Sequence, residues 1–201
     1  MKIYTRRGDD GSTALGSGAR VSKDSSLPEA YGAVDEAQAV LGLVRAEAGG
    51  ELAELVEQLE RDLWRVMGEL AGAARGDGVT PGMVTWLEEQ IDSLGDRFEM
   101  PQEFVVPGEN RVAALLDHAR TVARRAERRA LAAGVGGDAL AYLNRLSDLL
   151  WVMARWQAGE PRGLVDGVPT SIKDVLLTQG WPTLRGSKTV DADQPWEDDA
   201  P

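Results

Sequence analysis

Three stretches of the chain hold the residue types that handle charge. The first is Ile3-Tyr4-Thr5-Arg6-Arg7-Gly8-Asp9-Asp10-Gly11-Ser12-Thr13, followed by Gly18-Ala19-Arg20-Val21-Ser22-Lys23-Asp24. Glycines let backbone N–H groups approach an anion closely, and Thr, Arg and Lys add donors and positive charge. That chemistry suits a polyphosphate, although an ordinary turn uses the same residues. The second is Arg120-Thr121-Val122-Ala123-Arg124-Arg125-Ala126-Glu127-Arg128-Arg129. Residues 108 to 133 hold six arginines against three acids, a local charge of +3 in a chain of -11. At helical spacing Arg120, Arg124, Glu127 and Arg128 share one face, and Arg125 and Arg129 form an adjacent row. Guanidinium forks match phosphate oxygens bidentately. Glu127 is placed to hold the one at its i−3 neighbour, Arg124, and a solvated face of intrahelical ion pairs is the other reading. The third is Tyr142-Leu143-Asn144-Arg145-Leu146-Ser147-Asp148. There Asn144, Asp148, Trp151 and Arg155 line one side of an otherwise apolar helix. A polar row in that setting needs partners, from a neighbouring helix or a bound nucleotide.

The elements that position these groups are helices. Val34, Ala37, Leu41, Val44 and Ala48 recur at three- and four-residue steps, predicting a helix from about Pro28 to Ala48. Leu52, Val56, Leu59, Leu63, Val66 and Leu70 predict a second, from about Glu51 to Ala71. Gly76 to Val79 reads as a loop, and Thr80-Pro81 as N-cap and first-turn proline of a third helix with Val84, Leu87, Ile91, Leu94 and Phe98 on its face. Pro101 and Pro107 bracket a non-helical link. A fourth helix runs from about Glu109 to Ala133, stopped by Gly134, and a fifth, capped by Asp138, reaches about Ala158. No alternating strand pattern appears in residues 28 to 158. The fold class is therefore all-α, a five-helix up-and-down bundle preceded by the anion-suited loop. The fifth helix is apolar nearly all round, which places it centrally or at a subunit interface.

Composition narrows the function. A chain of 201 residues with 43% hydrophobic content predicts one compact domain. The net charge of -11 argues against nucleic acid and anionic membranes as partners. The longest apolar runs are about six residues, as in Leu149 to Ala154, where a membrane span needs roughly 20. With no cysteine and no apolar leader, the expectation is a cytoplasmic protein without disulfide or thiolate chemistry. The lone His118 cannot supply the paired Glu-x-x-His motifs of a di-iron bundle, so it reads as a packed or solvent-edge residue.

The glycine-rich loop, the acid-bearing helix start Glu29-Ala30-Tyr31-Gly32-Ala33-Val34-Asp35-Glu36, the segment Arg124-Arg125-Ala126-Glu127-Arg128 and the segment Asn144-Arg145-Leu146-Ser147-Asp148 occur in this order. Together they resemble the PduO-type family of ATP:cob(I)alamin adenosyltransferases, over roughly residues 2 to 158. The resemblance implies a homotrimeric five-helix bundle that moves the 5′-deoxyadenosyl group of ATP to cob(I)alamin. A non-catalytic carrier or sensor of adenosylcobalamin or nucleotide on the same bundle is the alternative. ATP would lie between subunits, wrapped by Thr5, Arg6, Gly8, Gly11, Arg20 and Lys23. Arg124, Arg125 and Glu127 would come from the neighbouring subunit, and Asn144 from the fifth helix. Asp35 matches an acid that pairs with the position of Arg120 across the interface. Phe104 matches an aromatic that packs under the corrin, and its other reading is a staple anchoring the link to the bundle. Arg7 stands where family members commonly have Thr, which adds a cation beside the phosphates. Mg²⁺ would ride on the ATP phosphates with no ligand from the protein. A flavoprotein reductase and a cobalamin-dependent mutase or dehydratase are the implied partners.

Composition changes at Gly159-Glu160-Pro161-Arg162-Gly163, so residues 1–159 read as the bundle and 160–201 as a tail. Within the tail, Asp166-Gly167-Val168-Pro169-Thr170-Ser171-Ile172-Lys173-Asp174 with Gly180-Trp181-Pro182-Thr183 resembles the start of an amidase-signature core, and Lys173 matches its catalytic lysine. A lysine without the downstream serines has no acyl-transfer route. The tail is expected to be a poorly ordered, incomplete fragment.

Overall fold

The computed structural model describes residues 3–73 and 78–159. The tail assignment, including Lys173, lies outside the described residues, as does part of the link between the second and third helices. The chain divides into two units at residues 160 and 161, and every element below belongs to the first.

Five helices follow a short hairpin: α1 (Ser26–Glu47), α2 (Gly50–Leu70), α3 (Pro81–Gly95), α4 (Arg111–Ala132) and α5 (Gly137–Gly159). Each carries the apolar stripe that its sequence spacing predicts. Pro28 sits inside the first turn of α1, where backbone N–H groups have no intrahelical partner and a missing donor is harmless. The α4 terminus follows the expectation for Gly134. With φ of +79°, this glycine lets Val135 N–H reach Ala130 C=O at 3.0 Å while its own N–H reaches Leu131 C=O at 3.0 Å. Both orphan carbonyls are thereby satisfied, as a left-handed residue after a helix allows.

α1 packs against α2 and α4, α4 packs against α5, and α3 packs chiefly against α5. Alanines make the α1–α4 and α4–α5 seams narrow: Ala30 and Ala37 on α1, and Ala119, Ala123, Ala126 and Ala130 on α4, are at most 1% exposed. α5 is the central helix. Tyr142, Leu143, Leu146, Leu149 and Met153 are all fully buried within the one chain, which explains its all-round apolar character.

Three local readings change. Ser12–Ala14 (β1) and Arg20–Ser22 (β2) form an antiparallel pair in the register Ser12↔Ser22, Thr13↔Val21, Ala14↔Arg20, where the sequence reading has only a loop. These strands are three residues long and hold one large apolar side chain, Val21, so there is no alternation to read. Asp138 lies in the first turn of α5 instead of capping it, because the helix already begins at Gly137. Phe98 lies beyond the end of α3 at Gly95 and packs against the core from the following turn. Thr80 does occupy the N-cap position of α3, but its side chain makes no capping bond. The working cap is Asn110 on α4, whose Oδ1 accepts from Ala113 N at 2.8 Å.

Candidate functional site

The N-terminal loop is folded by the cations that the sequence assigns to an anion. Arg20 donates through Nη2 to Arg7 C=O at 2.7 Å and to the Ser12 hydroxyl, and lies 3.4 Å from Asp10 Oδ1. Lys23 Nζ donates to Gly8 C=O at 2.8 Å, and Lys23 N–H to Gly11 C=O at 2.9 Å. Gly8 is closely wrapped: a Cβ there would lie 2.9 Å from Ser12 C=O and 3.1 Å from Lys23 Nζ. Asp10 accepts from Ser12 N–H at 2.9 Å and from its hydroxyl at 2.7 Å. Those two bonds, with Arg20 behind them, hold its carboxyl below the ordinary value. Thr5 and Arg6 are exposed at the loop entrance, where Thr5 Oγ1 accepts from Arg7 N–H at 3.4 Å. Arg6 has φ of +60° and its guanidinium lies 5.5 Å from the Tyr4 ring. The turn between the strands is pinned to the end of α2 by Gly16 N–H to Ala71 C=O at 2.7 Å. The structure therefore brings Gly8, Gly11, Arg20 and Lys23 together in one closed turn.

The arginines of α4 separate into two populations. The Arg125–Arg129 row faces α1: Arg125 pairs with Glu36, and Arg129 with Glu29 at 3.1 Å. A cavity of about 150 Å³ lies along this seam, lined in part by Gly32, Glu36 and Arg125. On the other row, Arg124 and Arg128 are exposed, and neither makes an ion pair among the described residues. Arg120 is the exception on that row. Its Nε donates to Asp117 Oδ1 at 3.3 Å.

Glu127 and Asn144 come together across the α4–α5 seam, with Asn144 Nδ2 donating to Glu127 Oε1 at 2.9 Å. This corrects the expectation that Glu127 holds an arginine of its own helix. Its half-buried carboxylate faces α5, and the amide gives it a partner at no charge cost. Asn144 Oδ1 accepts in turn from Arg145 Nη1 at 2.7 Å, and Arg145 reaches Glu88 of α3 at 2.9 Å. Asn144 of the polar row thus finds its partner on a neighbouring helix, whereas the exposed Asp148 lies 3.6 Å from Arg145 of its own helix.

Asp35 is exposed and pairs with nothing in its own chain among the described residues; Arg120 reaches Asp117 instead. Phe104 is 91% exposed. That removes the staple reading, because a staple must bury its ring. His118 is exposed on α4, at the solvent edge. A separate cavity of about 480 Å³, between α2 and α3 and lined in part by Asp62, Arg65, Met83 and Trp86, contains none of the candidate site residues.

Sequence reasoning misses the acids that serve the arginines. Glu29 and Glu36 lie seven residues apart on α1 and pair with Arg129 and Arg125, four apart on α4, so the spacings do not match and give no signal. Asp117 lies at i−3 from Arg120, a legible signal. Its second partner is not: Arg155 of α5 bonds Asp117 and Glu109 together.

Residues 3–157 match the family described as cobalamin adenosyltransferase. The chain belongs to that family. It is 38% identical over 170 residues to a corrinoid adenosyltransferase of Citrobacter freundii, a match spanning 80% of this chain and 97% of that protein. It is also 38% identical over 167 residues to one of Bacillus subtilis, spanning 77% and 86% of the two chains. Among solved structures, the fold is similar to a variant PduO-type ATP:corrinoid adenosyltransferase from Lactobacillus reuteri complexed with cobalamin and ATP. The TM-score is 0.74 at 28% identity, covering 78% of this chain and 91% of that one. The resemblance drawn from the loop, α4 and α5 segments is thus to the right family, and its five-helix fold is the one observed.

Proposed function

We propose that this chain transfers the 5′-deoxyadenosyl group of ATP to the cobalt of cob(I)alamin, forming adenosylcobalamin and triphosphate. The observation that carries the reading is family membership across residues 3–157, and the unpaired, exposed Arg124 and Arg128 of α4 support it. The Co(I) lone pair forms the bond to C5′ of ATP. The C5′–O5′ bond breaks, and its electron pair leaves on intact triphosphate. No proton moves in this step, so the protein's work is to align cobalt with C5′ and to neutralise charge growing on the leaving group.

The loop supplies the first half of the site. Gly8 and Gly11 let backbone N–H groups approach the phosphates, and Arg20 and Lys23 hold the loop shut around them. Thr5 and Arg6 stand at its entrance. Arg124 faces the triphosphate from a neighbouring subunit of a homotrimer, with Arg125 beside it on the adjacent row, held by Glu36. Glu127 and Asn144, already bonded to each other, present a fixed polar edge to the nucleoside. Asp35 meets Arg120 across the same interface. Phe104, bare within its own chain, lies under the corrin and excludes a lower axial ligand. Mg²⁺ rides on the nucleotide phosphates, with no ligand from the protein. The setting is cytoplasmic, with a flavoprotein reductase upstream and a cobalamin-dependent mutase or dehydratase downstream. Residues 1–159 carry all of these groups, and the tail is dispensable.

The test is formation of adenosylcobalamin and triphosphate from ATP and chemically reduced cobalamin by the purified protein. Nucleotide binding without either product would replace the enzyme with the carrier or sensor.

A further inference from the structure

Asp117 is 4% exposed, at the end of the second turn of α4, and its two carboxylate oxygens serve two different arginines. Oδ2 accepts from Arg155 Nη2, which reaches across from α5. Oδ1 accepts from Arg120 Nε at 3.3 Å. Arg155 is itself 5% exposed, and its other terminal nitrogen donates to Glu109, in the link just before α4. Its guanidinium carbon lies 5.9 Å from the Trp151 ring. The four groups are charge-neutral together. A carboxylate this buried is tolerated only when paired and hydrogen-bonded, so the cluster is held as a unit.

This arrangement has a directional consequence. Arg155 is gripped at both ends of its fork, so the Asp117 carboxylate cannot turn without breaking the buried bond. Its second oxygen is aimed outward along α4, at Arg120. Among the described residues Arg120 is bonded only through Nε, which leaves both terminal nitrogens to take a planar acceptor side by side. Arg124 and Arg128, four and eight residues on, have no such tether among the described residues. We infer that Asp117, locked by Arg155, is a positioning residue that fixes the Arg120 guanidinium for an acceptor outside the chain. The inference rests on the reading of Arg120 as a site residue.

Asp117→Asn separates this role from a structural one. The amide keeps one acceptor oxygen, which the buried Arg155 retains, and turns its NH₂ toward Arg120. The expected result is a fall of about tenfold in kcat/KM for ATP in Asp117→Asn, and less than a twofold further change when Asp117→Asn is added to Arg120→Ala, since residues acting as one unit are not additive. Losses that multiply would mean that Asp117 acts on its own and would overturn the inference; so would an Arg120→Ala protein with unchanged kinetics. A second measurement needs no activity, and its first arm needs no variant. In the ¹⁵N-arginine-labelled protein, the Arg120 Nε–H should exchange slowly with water, and in a folded Asp117→Asn it should exchange fast. Fast exchange in the unaltered protein overturns the inference. An unaltered protein that makes no adenosylcobalamin but keeps a slow Nε–H would instead sink the proposed reaction and leave the tether standing.

Discussion

Arg124→Ala and Arg129→Ala remove the same side chain five residues apart, on different rows of α4, and should fail in opposite ways. Arg129 is paired with Glu29 at 3.1 Å, with side-chain exposures of 51% and 48%. A pair that open to solvent contributes about 0.2–1 kcal/mol. For a chain of this size that is a loss of roughly 2–4 °C in Tm at most, and turnover should hardly change. Arg124 has no ion pair to lose among the described residues. It sits four residues from both Arg120 and Arg128, and like charges at that spacing repel by about 0.2–0.5 kcal/mol. Arg124→Ala should therefore leave Tm unchanged or slightly raised. Its catalytic loss should be large, because a guanidinium aimed at developing triphosphate charge contributes about 2–4 kcal/mol to the transition state. At 1.36 kcal/mol per decade this is roughly 30- to 1000-fold in kcat/KM. Thermal melts and steady-state adenosylcobalamin formation on the two proteins check it. Equal, small kinetic losses would mean that the Arg124 face is only solvated. A large drop in Tm for Arg124→Ala would mean that the row is structural.

Gly8→Ala should raise KM for ATP about two- to tenfold with little change in KM for cobalamin. The new methyl meets Ser12 C=O, a backbone atom that cannot swing away, and it crowds the Lys23–Gly8 bond, an interaction of about 0.5–1.5 kcal/mol. An unchanged KM for ATP would detach the loop from the nucleotide. Asp62, 3% exposed, has its carboxyl raised above the ordinary 3.8 by burial, against which the Tyr142 and Gln58 hydrogen bonds act. The native state thus holds this proton more tightly than the unfolded chain does. Its contribution to stability is greatest when protonated and is lost as pH rises from 3.8 through the raised value. Asp62→Asn should remove that loss, so its Tm relative to the unaltered protein should climb with pH over this window and then level off. A pH-independent difference would refute the assignment.

The helices were legible because each has an apolar stripe long enough to count, and because Gly134 and Pro81 mark ends by backbone geometry. Which helix lies against which was less so. α3 packs chiefly on α5 even though it follows α2, and no residue in the links announces that. The strand pair was hidden because its stability comes from hydrogen bonds and the Asp10–Ser12 turn instead of an apolar face. In the site, spacing correctly separated the two arginine rows, since a helix fixes which side chains share a side. It could not say what each row meets. Glu127 turned to Asn144 on another helix, and Arg155 turned to Asp117, because burial makes the nearest compensating partner win whatever its distance along the chain. Phe104 shows the opposite case. Its two readings were equal in the sequence, and a single exposure of 91% decides against the staple.

The distribution of partners over α4 ties the fold to the chemistry. One stripe is alanine, which lets α1 and α5 close on the helix. A second, Arg125 and Arg129, is neutralised by acids of α1. The third holds Arg120, Arg124 and Arg128, three cations at four-residue spacing, and within the described chain only the first has an acid. The chain is not short of acid, with 33 Asp and Glu residues against 22 Lys and Arg. The acid that spacing places beside Arg124, Glu127 at i+3, bonds Asn144 instead and leaves that guanidinium open. Leaving the row open carries a mutual repulsion that folding alone does not relieve. An external anion relieves it, and most strongly one whose charge grows during the reaction, as triphosphate's does when the C5′–O5′ bond breaks. On the proposed function, that repulsion is a stability cost that binding the transition state would recover, and a tethered Arg120 would give the row a fixed origin.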